Sequence, residues 1–579
     1  MFLKSIYTLI LTAFCLSIWS CTTQENSQKA DLIIRGGTIY TLDEGHPKAE
    51  AIAVKAGRII AVGKEADVEL LSGDSTEFID LKGQTLTPGF IEGHGHFMGL
   101  GYSELNLNLM DVSSYDELVM RVKAAADKAK PGQWIIGRGW HQSKWTPQPD
   151  PMVNGFQTHD KLSAVSPNNP VYLSHASGHA GFANAKAMQL AGVMPLAQES
   201  LAEQQVEGGE IIRDEMGNPT GIFNERAMEV ITRHIPENSE DRDMEALKLA
   251  IEACHKNGIT SFHDAGIDGK TIDLYRKAKE EGALKLRMYA MVTGEDTTLV
   301  ERWFKRGPEI DTSDYLLTIR SVKLHCDGAL GSRGAWLLEE YEDRPGHYGM
   351  ATVPMKYVSY ISDKALKNGF QVCSHAIGDR TNHEILNIYE NTFHQNSQEA
   401  KDSRFRIEHA QHLAPKDIPR FGRLGVIPAM QAIHMSSDRS WAIDRLGEKR
   451  IKEGAYMWHD LLETGARLIN GTDVPVEPIN PIASFYASVS RKTLQGEPEG
   501  GYEPEQKMTR EQALKTYTLN AAYGAFEEDV KGSIEVGKLA DFTVFSKDIM
   551  TIPEKEILSV QVMMTIFEGQ VVYSTEDKK

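Results

Sequence analysis

PGFIEGHGH, residues 88–96, decides the fold. It completes a strand-like run that begins at Leu86 and carries His94 and His96 at the strand's C-terminal end. Side chains at i and i+2 of a strand share a face. At ~3.3 Å per residue they stand roughly 6.5 Å apart, so both imidazoles can reach one ion. An isolated His-x-His is a weak signal, and its meaning depends on what the rest of the chain builds around it.

Working outward, seven further runs resemble it: ITSFHDAG, LRMYAMV, SVKLHCDG, FQVCSHAIGD, RFRIEHAQ, GVIPAMQ and ARLINGTD. Between most of them lie stretches such as TIDLYRKAKEEGAL and YVSYISDKALKNG, in which apolar positions recur at helical spacing. Strands alternating with helices over residues 86–526 predict βαβ units and a parallel sheet, closed as an α/β fold of the (β/α)8 TIM-barrel type. The interval from about 97 to 258 is too long for one crossover. It predicts an inserted subdomain after the first barrel strand, a lid or substrate wall that contains QWIIGRGW and PVYLSHASGHAGFAN. Both chain ends differ from this centre. Residues 31–85 are short β-branched runs divided by turns such as Arg35-Gly36-Gly37, and residues 527–579 repeat that style. Together they predict one discontinuous β-sandwich.

Four other strand ends carry ligand-type residues: Lys323, His375, His409 and Asp473. In such barrels the C-terminal face is where sites are assembled from several strands. One histidine satisfied inside a core is commonplace. Four histidines, a lysine and an aspartate converging on one rim predict a metal centre.

Composition narrows the class. With 579 residues, 41% of them hydrophobic, the chain is enzyme-sized, and its net charge of -19 excludes a nucleic-acid partner. The first 20 residues place Lys4 before an apolar run and predict a secretory signal. Ile18-Trp19-Ser20-Cys21 resembles a lipobox, so Cys21 is the expected lipidation site. A lipidated cysteine carries the several acyl chains that stable anchoring takes. The expectation is a protein exported to the bacterial cell envelope and held there through Cys21 and a polar linker to about residue 30, with a plain cleaved signal as the alternative. Beyond Cys15 and Cys21, three cysteines (Cys254, Cys326, Cys373) make no disulfide framework and suit small buried hydrophobic positions. The sequence leaves monomer and homo-oligomer both open.

PGFIEGHGH and KGSIEVGKLADFTVF resemble the first-strand and C-terminal signatures of the amidohydrolase superfamily, with Glu92 where aspartate is usual. SGHAGFAN, VKLHCDGALGSRGA, SHAIGDR, RIEHAQ and GTDVPVEP are similar to the branch that contains N-substituted formamide deformylase and the amidohydrolase 3 proteins. The resemblance implies a metal-dependent hydrolase of a small-molecule, non-peptide C–N bond. His94, His96 and Asp473 would hold one metal, His375 and His409 a second, and Lys323 would bridge them. A free lysine is a protonated ammonium with no lone pair to offer. In related enzymes CO2 converts such a lysine to a carbamate; an unmodified amine in a one-metal site, or a lysine facing a substrate carboxylate, are the alternatives. Zinc suits the ligand set, and manganese or iron would fit it too. Asp473 is implied as general base and then acid. His179, Asp327 and Arg333 are the expected substrate contacts; His175 is expected to pack against Trp140 or Trp145, and His263-Asp264 to support the ligands from behind. The competing functions are a one-metal deaminase, a phosphotriesterase or lactonase, and a lipid-anchored binding protein without catalysis. The complete ligand set disfavours the last.

Overall fold

The computed structural model describes residues 29–142, 145–176, 180–194 and 209–576. The predicted export signal, Cys21 and His179 lie outside them.

Eight parallel strands form the central sheet: Phe90–Gly95, Ile259–Ile267, Arg287–Thr293, Leu317–His325, Gln371–Ala376, Arg406–His409, Ile427–Met430 and Ile469–Asn470. Each pairs with the next in sequence, as βαβ units require. The ring closes where the chain leaves the last strand: Asp473 N–H donates to His94 O (2.8 Å) and His96 N–H to Val474 O (2.7 Å). Lower in the seam the last strand is only two residues long, and the Tyr517 carbonyl fills its place by accepting from Ile91 N–H at 2.7 Å. Gly93 is required at this seam. A Cβ there would stand 2.3 Å from Ile469 Cγ2 and 2.4 Å from Asn470 O.

The expected first strand is two elements. Thr85–Pro88 pairs with Phe542–Phe545 in the terminal sheet, and the barrel strand begins at Phe90. Gly89 makes the crossing, packed so tightly that a Cβ would lie 2.2 Å from Thr260 Oγ1. The fourth strand starts at Leu317 and not at Ser321, because Leu317–Ile319 already pairs with Met288–Ala290, before the register shifts at Arg320 and resumes with Ser321 opposite Met291.

Helices cover the barrel with the residues their spacing selects. Helix Gly269–Glu280 is capped by Asp268, whose carboxylate accepts from Thr271 N–H, and it buries Ile272, Tyr275 and Ala278. Helix Met355–Lys367 buries Val358, Ile361 and Ala365. Both sets join outward-facing strand residues such as Met288, Val322 and Val372 in the main core. Cys254, Cys326 and Cys373 are free and buried.

The two chain ends meet in one eight-stranded sheet, with Leu32–Tyr40, Lys48–Lys55 and Arg58–Gly63 at one end and Phe542–Phe545, Val562–Phe567 and Gln570–Ser574 at the other. Ile34, Ile52, Phe542, Val544 and Ile566 from both ends pack in one apolar cluster, so the two halves of the expected sandwich stay joined through Thr85–Pro88. The inserted segment builds its own six-stranded sheet from Leu107 to Glu225, with separate apolar clusters around Trp140 and Phe223. Its flanking helices, Phe97–Leu105 and Glu240–Lys256, belong instead to the barrel. They touch so closely that a Cβ at Gly101 would meet Ala246 O at 2.1 Å, and Leu100 and Leu247 join the main core. Among the described residues no helix is long and apolar enough to cross a membrane.

Candidate metal centre

His94 ends the first barrel strand and His96 follows it into the helix Phe97–Leu105, with ring centroids 5.9 Å apart. Asp473 arrives across the seam. Its Oδ1 lies 3.4 Å from His94 Nε2 and 3.1 Å from His96 Nε2. His409, on the sixth strand, stands 5.0 Å from His94 and 4.4 Å from His375, centroid to centroid. Lys323 is buried on the fourth strand beside Cys373, with His325 in register with His375 on the same pair of strands. The rim thus brings together all six residues expected there.

Two of them have left-handed backbone, His409 at φ 75° and Asp473 at φ 57°. Non-glycine residues so placed cost ~1–3 kcal/mol and persist only where the surroundings over-determine them, most often at functional sites. For Asp473 those surroundings are the seam hydrogen bonds.

Three of the rings, those of His94, His96 and His409, are held by the far nitrogen. His94 Nδ1 bonds Glu408 Oε2 at 2.5 Å, His96 Nδ1 bonds the Ala265 carbonyl at 3.0 Å, and His409 Nδ1 bonds Gln431 Oε1 at 2.6 Å. Gln431 is oriented in turn by donating its amide to Ala429 O. All three partners only accept, so Nδ1 carries the proton and Nε2 keeps its lone pair, the tautomer that ligation needs. His94 Nε2, His375 Nε2, His434 Nε2 and Asp473 Oδ1 are buried with no hydrogen-bond partner. Buried polar atoms without partners are costly and rare. Ligand atoms of His94, His96 and Asp473 lie within 4.8 Å of one another, as do those of His409, His434 and Asp473. The donors present fit a divalent cation.

The electrostatics agree. Burial, followed by the charge of Lys323, pushes the His375 pKa far down; burial, followed by His375, does the same to His409. Both imidazoles are neutral at pH 7, as metal ligands must be. Burial also opposes charge on Asp473, but the adjoining imidazoles of His94 and His96 outweigh it and hold the carboxyl well below its usual range. At His94, burial and Lys323 pull down, yet Glu408 and Asp473 prevail and raise the pKa. A cation at Nε2 would meet the same negative field.

Several supporting residues escaped the sequence reading. Arg406 and Glu408 point into the barrel from one strand face, fully buried and paired by bonds of 2.7 and 2.9 Å. Arg406 also donates to Gly93 O (2.7 Å) and to His263 Nδ1 (3.1 Å). Strand alternation would put His409 on the face opposite Glu408; its left-handed φ turns it back to the rim. His434 follows the seventh strand in the first turn of a helix, where the run AMQAIHMSSD gave a histidine but no strand position.

The remaining expectations resolve individually. His175 packs edge-on against Trp140, centroids 4.6 Å apart. His263 takes its bond from Arg406 behind the ligands, and Asp264 accepts from Phe97 N–H and Tyr275 O–H, fixing the chain after His96. Asp327 and Arg333, expected to contact substrate, both have protein partners. Asp327 is buried and accepts from Trp336, Ile377 and Gly378 N–H and from Thr381 O–H, and its Oδ1 lies 3.3 Å from His375 Nε2. Arg333 forms a two-bonded pair with Asp343. Their charges tie the 327–347 loop to itself and to the fifth strand.

The amidohydrolase family matches residues 77–573, most of the chain. The chain belongs to the amidohydrolase family. It is accordingly a metal-dependent hydrolase acting on carbon–nitrogen bonds other than peptide bonds. It is 33% identical to Protein LONG AFTER FAR-RED 3 of Arabidopsis thaliana over 94% of this chain and 92% of that one. It is 27% identical to N-substituted formamide deformylase of Arthrobacter pascens over 94% and 99%. Among solved structures, an uncharacterized metal-dependent hydrolase of Pyrococcus horikoshii OT3 superposes with a TM-score of 0.72 at 28% identity, covering 90% of this chain and 99% of that one.

The hydrogen bond that Gln431 accepts from His409 gives a direct check on the site. Gln431→Leu should weaken metal binding about 10- to 100-fold, the usual effect of removing the group that orients a ligating histidine. Competition with a chromophoric chelator measures it, and an unchanged affinity would remove His409 from the ligand set.

Proposed function

We propose that the protein hydrolyses an amide, N-acyl or cyclic amide bond of a small molecule, with His94, His96, Lys323, His375, His409 and Asp473 holding two divalent ions and Lys323 carboxylated. The single observation that carries this reading is the cluster of buried, unpartnered Nε2 and carboxylate atoms of His94, His375 and Asp473 on one rim. The pair of His409 and His434 beside Asp473 supports adding His434 to the residues that can hold an ion. When bound, the metal lowers the pKa of water toward about 7 and polarises a carbonyl. Asp473 is ionised and free at Oδ1. It takes a proton from the attacking water as the C–O bond forms, then delivers that proton to the nitrogen as the C–N bond breaks. The relative named N-substituted formamide deformylase supports an N-acyl substrate of this kind. We place the enzyme at the cell envelope through Cys21.

Elemental analysis of protein purified with and without bicarbonate tests the centre. Two ions per chain are expected with bicarbonate, falling in Lys323→Ala, together with turnover of compounds in a panel of formamides, N-acyl amines and cyclic amides. One ion per chain regardless of bicarbonate, with release of ammonia from heterocycles, would instead identify a one-metal deaminase.

A further inference from the structure

Beside Asp473 the inserted sheet faces the barrel rim across a cavity of about 470 Å³, within the range of small-molecule sites. Helix Phe97–Leu105 and the segment Val474–Ile479 form one wall. The other is the strand Ile135–Trp140 of the QWIIGRGW motif, with Leu107 and Ser174 beside it. Ile136 and Arg138, two residues apart, share a strand face, and Arg138 lies in register with Ser174.

Arg138 is the unusual group here. One of its five N–H donors reaches the Pro475 carbonyl at 3.1 Å. No other acceptor and no carboxylate partners it among the described residues, whereas the buried Arg287, Arg406 and Arg439 all have acidic partners. Burial pulls its pKa down with no acid near enough to oppose the shift. Glu104 and Glu477 border the same cavity, but Glu104 is exposed to water and Glu477 accepts from the Ser437 hydroxyl. A half-buried guanidinium without a carboxylate partner has donors left for a ligand, and its planar fork matches a carboxylate.

We propose that this cavity binds the carboxylate of an apolar carboxylic acid on Arg138. Resting on the function proposed above, it would hold the acid end of an N-acyl substrate whose carboxylate is separated from the scissile C–N bond by an apolar spacer. The spacing follows from the chain. Pro475 is two residues beyond Asp473, at most about 7 Å along the backbone, so with the carbonyl and the 3.1 Å hydrogen bond added the guanidinium lies within roughly 13 Å of Asp473 Cα. The apolar walls receive the spacer, and Arg138 selects the acid over its neutral isostere.

The test compares 6-acetamidohexanoate with its primary amide. Calorimetry on the metal-stripped full chain is expected to show the acid binding about tenfold or more tighter than the amide, as a charge-assisted pair provides. Arg138→Gln should erase that preference while leaving the amide's affinity unchanged, which also shows that the variant is folded; Arg138→Lys should retain part of it. Equal affinities in the unaltered protein, a preference that survives Arg138→Gln, or no binding of the acid at millimolar concentration each overturn the proposal. Acid binding without hydrolysis by the metal-loaded enzyme would sink the proposed function and leave the cavity assignment standing. Hydrolysis of neutral amides without any preference for the acid would do the reverse.

Discussion

Asp473→Asn should lower kcat by about 10³-fold, within the range that general acid–base catalysis contributes, while much of the metal stays bound. The asparagine is nearly isosteric and keeps an oxygen facing His94 and His96. It loses the charge that those two imidazoles stabilise and, with it, the capacity to take and return a proton. The backbone bonds that close the barrel do not involve the side chain, so the position and its left-handed φ survive the change. Parallel measurement of kcat and metal content separates the two roles. Wild-type turnover in a metal-loaded variant would rule out Asp473 as the proton carrier.

Arg406→Met should destabilise the protein by about 3–5 kcal/mol, the usual cost of breaking a buried ion pair from one side. The substitution leaves Glu408 fully buried without the guanidinium that holds its pKa far below the usual range, and it strips bonds from Gly93 O and His263. Burial already opposes that charge, so the carboxylate must either stay unpaired or take up a proton. Replacing both members, Arg406→Met with Glu408→Leu, should restore much of the stability, because apolar pairs of similar volume often match a buried ion pair. It should not restore metal affinity, since His94 still lacks the carboxylate that orients it. Denaturant midpoints of the metal-stripped proteins measure the first effect and chelator competition the second. A single variant as stable as the parent would show that the pair does not bear on folding.

Much of this architecture was legible from local chemistry. The eight barrel strands follow from apolar runs with helical spacing between them, and six rim residues follow from ligand-type side chains at strand ends. That works because strand alternation and the C-terminal position of barrel sites are local rules, readable from a few neighbouring residues. The split at Pro88–Gly89 was less accessible: a strand that changes sheets looks continuous until Phe542–Phe545 from the other end of the chain pairs with its first half. Arg333 and Asp327 read as substrate contacts because their partners come from elsewhere, Asp343 ten residues on and Thr381 on the helix Asp379–Gln395.

The amino-acid sequence by itself determined the barrel, the inserted subdomain and the residue types that meet at the rim. Only the tertiary structure decided how those residues are held. His409 reaches the centre through a left-handed turn, Glu408 and Gln431 set the ring tautomers, and the Asp473–Val474 segment is fastened across the seam by backbone bonds from Asp473 N–H to His94 O and from His96 N–H to Val474 O. The physical reason is that ligand identity is a property of single side chains. Tautomer, backbone strain and the setting of Arg138 depend on groups from 22 to more than 300 residues apart, whose approach folding alone arranges.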